Sequence, residues 1–208
     1  MKAIMISDHP KWCALMMNGD KTVEVRAGSA LYKAIQKLID EYGYAEFYVY
    51  CTKGKDKLFY RNTVKEYAIA NSNWKLINFV KIYNVADYPT RNLNGKVIFK
   101  FRCYKVEEIS YNYRSDFTSV YTDTLDTEDL EKQACLTRNE FAKYLKGNYG
   151  CAIHISDLEI FDKPKELSEF KSYKKNIVNT KINGMVFETE LDNSLTKAPQ
   201  SWCYVEER

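Results

Sequence analysis

From Lys2 to Ile6 the chain runs apolar, which predicts a buried strand. Asp8 and Pro10 then open a helix to Asn18-Gly19, with Asp8 placed to cap its start and Gly19 to stop it. Trp12, Leu15 and Met16 share one face of that helix and read as core. Thr22 to Arg26 alternates strictly, so a strand there sets Val23 and Val25 to one side and Thr22, Glu24 and Arg26 to the other. Ser29 begins a second helix, carried by Leu31, Ile35, Leu38 and Ile39 and ended near Gly43, and Ala45 to Cys51 follows as an aromatic and β-branched strand. Residues 54–93 lose clear periodicity, with amphipathic pieces at Val64 to Ala70 and Trp74 to Tyr83, and read as a helical insertion. After the Asn94-Gly95 turn, Lys96 to Ile109 alternates over the longest span and predicts one central strand. Helices are expected at Thr127 to Cys135 and Thr137 to Lys146, the latter with a Thr137/Glu140 capping box and a stop at Gly147. Strands are expected at Cys151 to Phe161, ended by Pro164, at Met185 to Leu191 and at Trp202 to Val205.

Short helices among strands, with no βαβ period and no glycine-rich phosphate loop, argue against a doubly wound nucleotide fold. An α+β chain built on a small β-barrel edged by helices fits better, and 208 residues suit one domain, 1–208, with the insertion inside it. No apolar run approaches the length of a membrane span and Met1 leads straight into structure, so a cytoplasmic protein that does not enter membranes is expected. The six cysteines include no C-x-x-C pair, which points to reduced thiols and to no metal; no cofactor is implied. A net charge of +3 decides nothing, but its distribution does. Residues 54–98 hold eight bases against three acids, whereas 105–170 hold fourteen acids against eight bases, densest at Asp123, Asp126, Glu128, Asp129 and Glu131. A basic segment beside an acidic one makes a polarised surface.

The candidate chemistry lies in Gly19-Asp20-Lys21-Thr22-Val23-Glu24-Val25-Arg26. There a helix-ending glycine delivers a Lys, a Glu and an Arg within a few residues. This G-x-K-x-x-E-x-R pattern, after an N-terminal strand and helix, resembles the signature of ASCH domains in the PUA-like superfamily of small β-barrels associated with RNA. The Lys96 to Ile109 segment, Gly150 to Leu158 and Ala198 to Glu206 are similar to blocks of phage and prophage ASCH-like proteins of low-GC bacteria, so the likeness covers 1–53 and 94–206 but not the insertion. It implies an RNA, nucleotide or modified nucleoside ligand in a Lys21, Glu24 and Arg26 cleft.

Arg26 brings a planar donor fork, Lys21 a point charge, and Glu24 an acceptor able to orient Arg26 or read an amino group. Glu24 and Arg26 also read as an exposed structural pair. Some ASCH proteins hydrolyse N4-acylated cytidines with a Lys and a Thr nucleophile; Glu24 stands at that Thr position, and Thr22 is displaced by about 7 Å along the strand. Binding is therefore expected ahead of catalysis. The alternatives are a metal-free amidohydrolase or ribonuclease using Lys21 and Glu24, and a phage-encoded module whose acidic segment 123–131 engages a protein. His9 is placed at the cleft mouth, whereas His154, between Ile153 and Ile155, reads as structural. Tyr50 and Lys53, on the strand expected to neighbour the motif, can stack a base and hold a phosphate, although Tyr50 equally suits sheet packing. Lys57, Arg61 and Lys65 are expected to mark a single-strand-binding surface among the insertion's aromatics, most of which are read as packing the insertion.

Overall fold

A computed structural model describes residues 2–61, 66–70, 93–113, 118–146, 149–173, 176–182 and 185–208. Its first half runs β1 (Ala3–Asp8), α1 (Pro10–Met17), β2 (Val23–Ala27), α2 (Ser29–Tyr42), β3 (Ala45–Cys51), β4 (Lys57–Arg61), β5 (Glu66–Ala70), β6 (Val97–Cys103), β7 (Val106–Tyr113) and β8 (Thr118–Tyr121). There follow α3 (Thr127–Ala134), α4 (Arg138–Leu145), β9 (Gly150–His154), β10 (Ser156–Lys165), β11 (Phe170–Ser172), β12 (Asn176–Ile182), β13 (Met185–Leu191) and β14 (Trp202–Glu207). The fold is α+β with a mostly sheet core that curls into a half-barrel. Six strands lie in the order β10-β6-β3-β1-β14-β11 and four in the order β2-β9-β7-β8, while β12–β13 and β4–β5 are hairpins.

The middle strands β1 and β3 pair in parallel, Asp8 opposite Cys51. Nearly every residue of both is buried because both sheet faces are covered. Phe47, Val49 and Cys51 look into a core shared with α1 and α2, while Tyr48 and Tyr50 look the other way, towards Phe170 and Val205. Helix α2 buries Leu31, Ile35 and Leu38 of the expected stripe together with Ala34, leaves Ile39 half-buried, and stops at Gly43 in the left-handed conformation, φ 82°. The four-stranded sheet has its own core, in which Val23 and Val25 meet Leu130, Phe141 and Leu145 of α3 and α4.

Both long strands expected from the sequence break at a corner. Lys96 to Ile109 becomes β6 in the large sheet and β7 in the small one; Cys151 to Phe161 becomes β9 in the small sheet and β10 in the large. Alternation slips by one residue at each corner, where Lys105 and Asp157 stand at places due an apolar side chain and Val106 and Leu158 restart the pattern, a break too brief to end a strand in a reading of the whole span. Asp157, at φ 47°, marks the second turn. Pro164 lies within β10, inside the shift of register between Ile160 and Lys165, and does not end the strand; the irregularity and the edge position tolerate it. Both halves of Lys96 to Ile109 are interior strands, β6 between β10 and β3 and β7 between β9 and β8, while β3 and β1 hold the middle of the larger sheet.

In the insertion, the helical reading of Val64 to Ala70 is replaced by the β4–β5 hairpin, with Leu58 opposite Ile69. Five residues are too few to separate a period of two from one of 3.6, and burial of Leu58 and Ile69 against the α1 core decides for strand. The Trp74 to Tyr83 piece and Lys65 lie outside the described residues. Among the described residues no helix is long and apolar enough to cross a membrane.

Candidate functional site

Strand β2 places Glu24 and Arg26 on the face opposite Val23 and Val25, and that face looks towards the end of β1. Arg26 Nη2 donates to Asp8 Oδ2 at 2.8 Å and to the Ser7 carbonyl at 3.1 Å. Its Nε lies 2.8 Å from Glu24 Oε1 but off the N–H direction, an ion pair rather than a directed hydrogen bond. Lys21 Nζ sits 3.3 Å from Glu24 Oε2 and donates to the Ala134 carbonyl at the end of α3, at 2.7 Å. The turn that delivers Lys21 closes because Asp20 and Lys21 both donate backbone N–H to the Leu15 carbonyl, with Gly19 at φ 82°.

Asp8, Lys21, Glu24 and Arg26 are 6%, 2%, 5% and 7% exposed. Among the described residues six polar or charged side chains are buried, and these four are adjacent; the other two, Glu107 and Thr122, form a separate cluster. Burial pushes the Asp8 carboxyl up and Glu24 adds to this, against the pull of Arg26 and Lys21. For Arg26, burial opposes the charge, but Asp8 and Glu24 outweigh it and its pKa is raised. Four charges taken out of water cost more than a packed apolar cluster, which is why such groupings concentrate at functional sites.

The cluster floors a cavity of about 710 Å³, within the range of small-ligand sites. Its walls come from Trp12 of α1, Glu140, Lys143 and Tyr144 of α4, Thr52 after β3, and the segment Ala198–Ser201. Ser7 ties that last segment down, its hydroxyl donating to the Pro199 carbonyl at 2.7 Å. The Thr137 capping box holds the start of α4.

Lys21, Glu24 and Arg26 thus come together in one cavity, and His9 lies at its edge, its Nδ1 3.3 Å from Thr52 Oγ1. Thr22 does not join them; it is exposed and precedes the strand, its backbone N–H donating to Gln133. Tyr50 and Lys53 are elsewhere too, because β3 pairs with β1 and β6 while β2 pairs with β9, in the other sheet. They line a second cavity. Asp8 does not cap α1: His9 occupies that position and Pro10 follows it. Pro10 removes one N–H that would want a cap, while Arg26 offers Asp8 a stronger, charge-assisted partner. Lys57 donates to the Gly54 carbonyl at 3.5 Å, while the Arg61 side chain is outside the described residues.

Sequence reasoning missed Asp8, whose partner lies 18 residues on, and the walls Tyr144 and Ala198–Ser201. It assigned Trp12 to the core, and Trp12 does pack there while also lining the cavity. His154, given no acidic partner, has one: its Nε2 is 2.6 Å from Glu107 Oε2. Burial would raise the Glu107 carboxyl, but hydrogen bonds from His154, Thr124, Lys105 and Thr122 outweigh it and hold it at about 2. Of the acidic segment, Asp126 caps α3, Glu128 and Asp129 sit in its first turn, and Glu131 faces Arg138. Among the described residues no group of three metal-ligating side chains converges.

Compared with models of known protein families and with curated proteins, the chain matches none.

Proposed function

We propose that the cavity above Lys21, Glu24 and Arg26 binds a nucleobase, presented by RNA or by a modified nucleoside or nucleotide, and that the chain is an ASCH-like, PUA-like domain. The observation that carries the reading is the composition of the cavity floor. Two cations and two carboxyl groups lie side by side and largely compensate one another. With Asp8 and Glu24 both ionised such a floor has no surplus charge for a phosphate, and it alternates donors and acceptors, as the edge of a base does. Trp12 supplies an aromatic wall for a planar ring.

The test is calorimetric titration with the four ribonucleosides, N4-acetylcytidine and short single-stranded RNAs. Saturable binding is expected, weakened about 5- to 150-fold by Trp12→Ala, since stacking one base on an aromatic ring is worth about 1–3 kcal/mol. Binding by no member of the panel contradicts the reading.

A metal-free hydrolase in the same cavity is the second reading, and Asp8 is the observation that favours it: a carboxyl with a raised pKa on a cavity floor suits a general acid. Glu24 is held between Lys21 and Arg26, an arrangement that orients it and leaves Lys21 a donor rather than a base for a nucleophile. We expect no turnover of N4-acetylcytidine at an enzymatic rate. Robust turnover that Lys21→Ala abolishes would place the hydrolase first.

A further inference from the structure

A second cavity, of about 650 Å³, lies against the first. Ala198 lines both, and the consecutive residues Thr52 and Lys53 line one each, Thr52 the first and Lys53 the second. The chain leaving β3 and the segment before β14 therefore run between two adjoining hollows.

The second hollow differs from the first in its charge. Lys53 and Lys197 line it, and neither ammonium has a hydrogen-bond or ion-pair partner among the described residues. Its one lining carboxylate, Glu166, is engaged by Lys96. Tyr50 also lines it and is only 6% exposed, yet its phenol oxygen has no hydrogen-bond partner among the described residues. Burial raises the Tyr50 pKa, so the phenol keeps its proton and remains a donor at neutral pH.

The exposed Lys53 also passes close to a glycine. Gly95 turns with φ 80°, and a Cβ on it would stand 2.8 Å from Lys53 Cε and 3.1 Å from Lys53 Cγ. The aliphatic stem of Lys53 thus lies along the bare glycine backbone, with its ammonium on the side of the hollow. Two exposed, uncompensated cations and an unpartnered phenol hydroxyl that opens on the same hollow are what an oxyanion requires.

We propose that this second cavity is a phosphate subsite, formed by Tyr50, Lys53 and Lys197, for the nucleotide whose base enters the first. This deepens the base-binding reading and rests on it. The compensated floor takes the uncharged ring and the adjoining hollow takes the charge. The phosphate is the terminal group of a mononucleotide or a phosphodiester within a strand.

The experiment measures affinities of the four ribonucleosides, their 3′- and 5′-monophosphates and the four homotetranucleotide RNAs, at several salt concentrations. The proteins are wild type, Lys53→Ala/Lys197→Ala and Tyr50→Phe. On wild type, phosphorylated ligands should bind about tenfold more tightly than the nucleoside at low salt. The double variant should lose that gain, lose about 0.7 from the salt slope of the tetranucleotides, and bind nucleosides as wild type does. Tyr50→Phe should lose part of the gain with no change in salt slope. Gain from monophosphates assigns the site to a terminal phosphate; gain from tetranucleotides alone assigns it to a phosphodiester.

Phosphate gain undiminished in the double variant, or absent from wild type while nucleosides bind, overturns the subsite and leaves the base reading standing. Phosphate-dependent binding without any nucleoside binding, abolished in the double variant, keeps the anion site and removes the base reading. No binding by any of these ligands overturns both.

Discussion

Arg26 holds two carboxyl groups that burial would otherwise make untenable. Removing it leaves Asp8 and Glu24 without their common cation, and breaking a buried pair in this way costs about 3–5 kcal/mol. The two buried carboxyl groups that depart most from ordinary values act oppositely on stability. Glu107 titrates at about 2 in the fold against 4.5 for an ordinary glutamate, so its contribution is complete above about 4.5 and is lost as the pH falls towards 2. Asp8 is raised from 3.8 to about 7, so its contribution is complete below about 4 and is lost as the pH rises towards 7. Urea denaturation across pH 2–8 should show Glu107→Gln removing the acid-side fall and Asp8→Asn removing the decline between about 4 and 7, each by on the order of a few kcal/mol. An Asp8→Asn profile parallel to wild type would show that Asp8 is ionised throughout that window.

At the scale of elements, the site depends on how closely α4 and β2 pack against β9. Gly150 opens β9, and a Cβ there would meet Leu145 Cδ2 at 2.7 Å and the Arg26 carbonyl at 2.9 Å. Gly150→Ala therefore pushes the wall that carries Tyr144 away from the strand that carries Arg26. We expect a loss of about 1–3 kcal/mol in denaturant unfolding and weaker ligand binding; unchanged stability would show that the two elements part without cost. The elements differ in how well their sequence reveals them. α2, the α4 capping box and the alternation of Glu24 with Arg26 are local patterns and can be read directly. The corners between β6 and β7 and between β9 and β10 leave only a one-residue slip of the alternation, at Lys105 and Asp157, which a bulge within one continuous strand would also give. The β4–β5 hairpin was hidden by its shortness. The placing of Tyr50 and Lys53 turned on which strands are neighbours, a long-range pairing that no local spacing encodes, and Asp8 was misassigned because its partner comes from another sheet.

Across the whole molecule, two sheets, two helices and the segment before β14 converge on one hollow, and neither Glu24 nor Arg26 would be buried without all of them. The central claim is that this hollow takes a base. Its most direct test is a two-dimensional ¹⁵N NMR titration of the full chain with the best-binding nucleoside of the panel. The account predicts saturable shifts of the Trp12 indole N–H, the Arg26 Nε–H and the backbone amides of Thr52 and Ser201, all with one dissociation constant. Saturable shifts confined to residues outside the cavity, with these four signals unmoved, would contradict it.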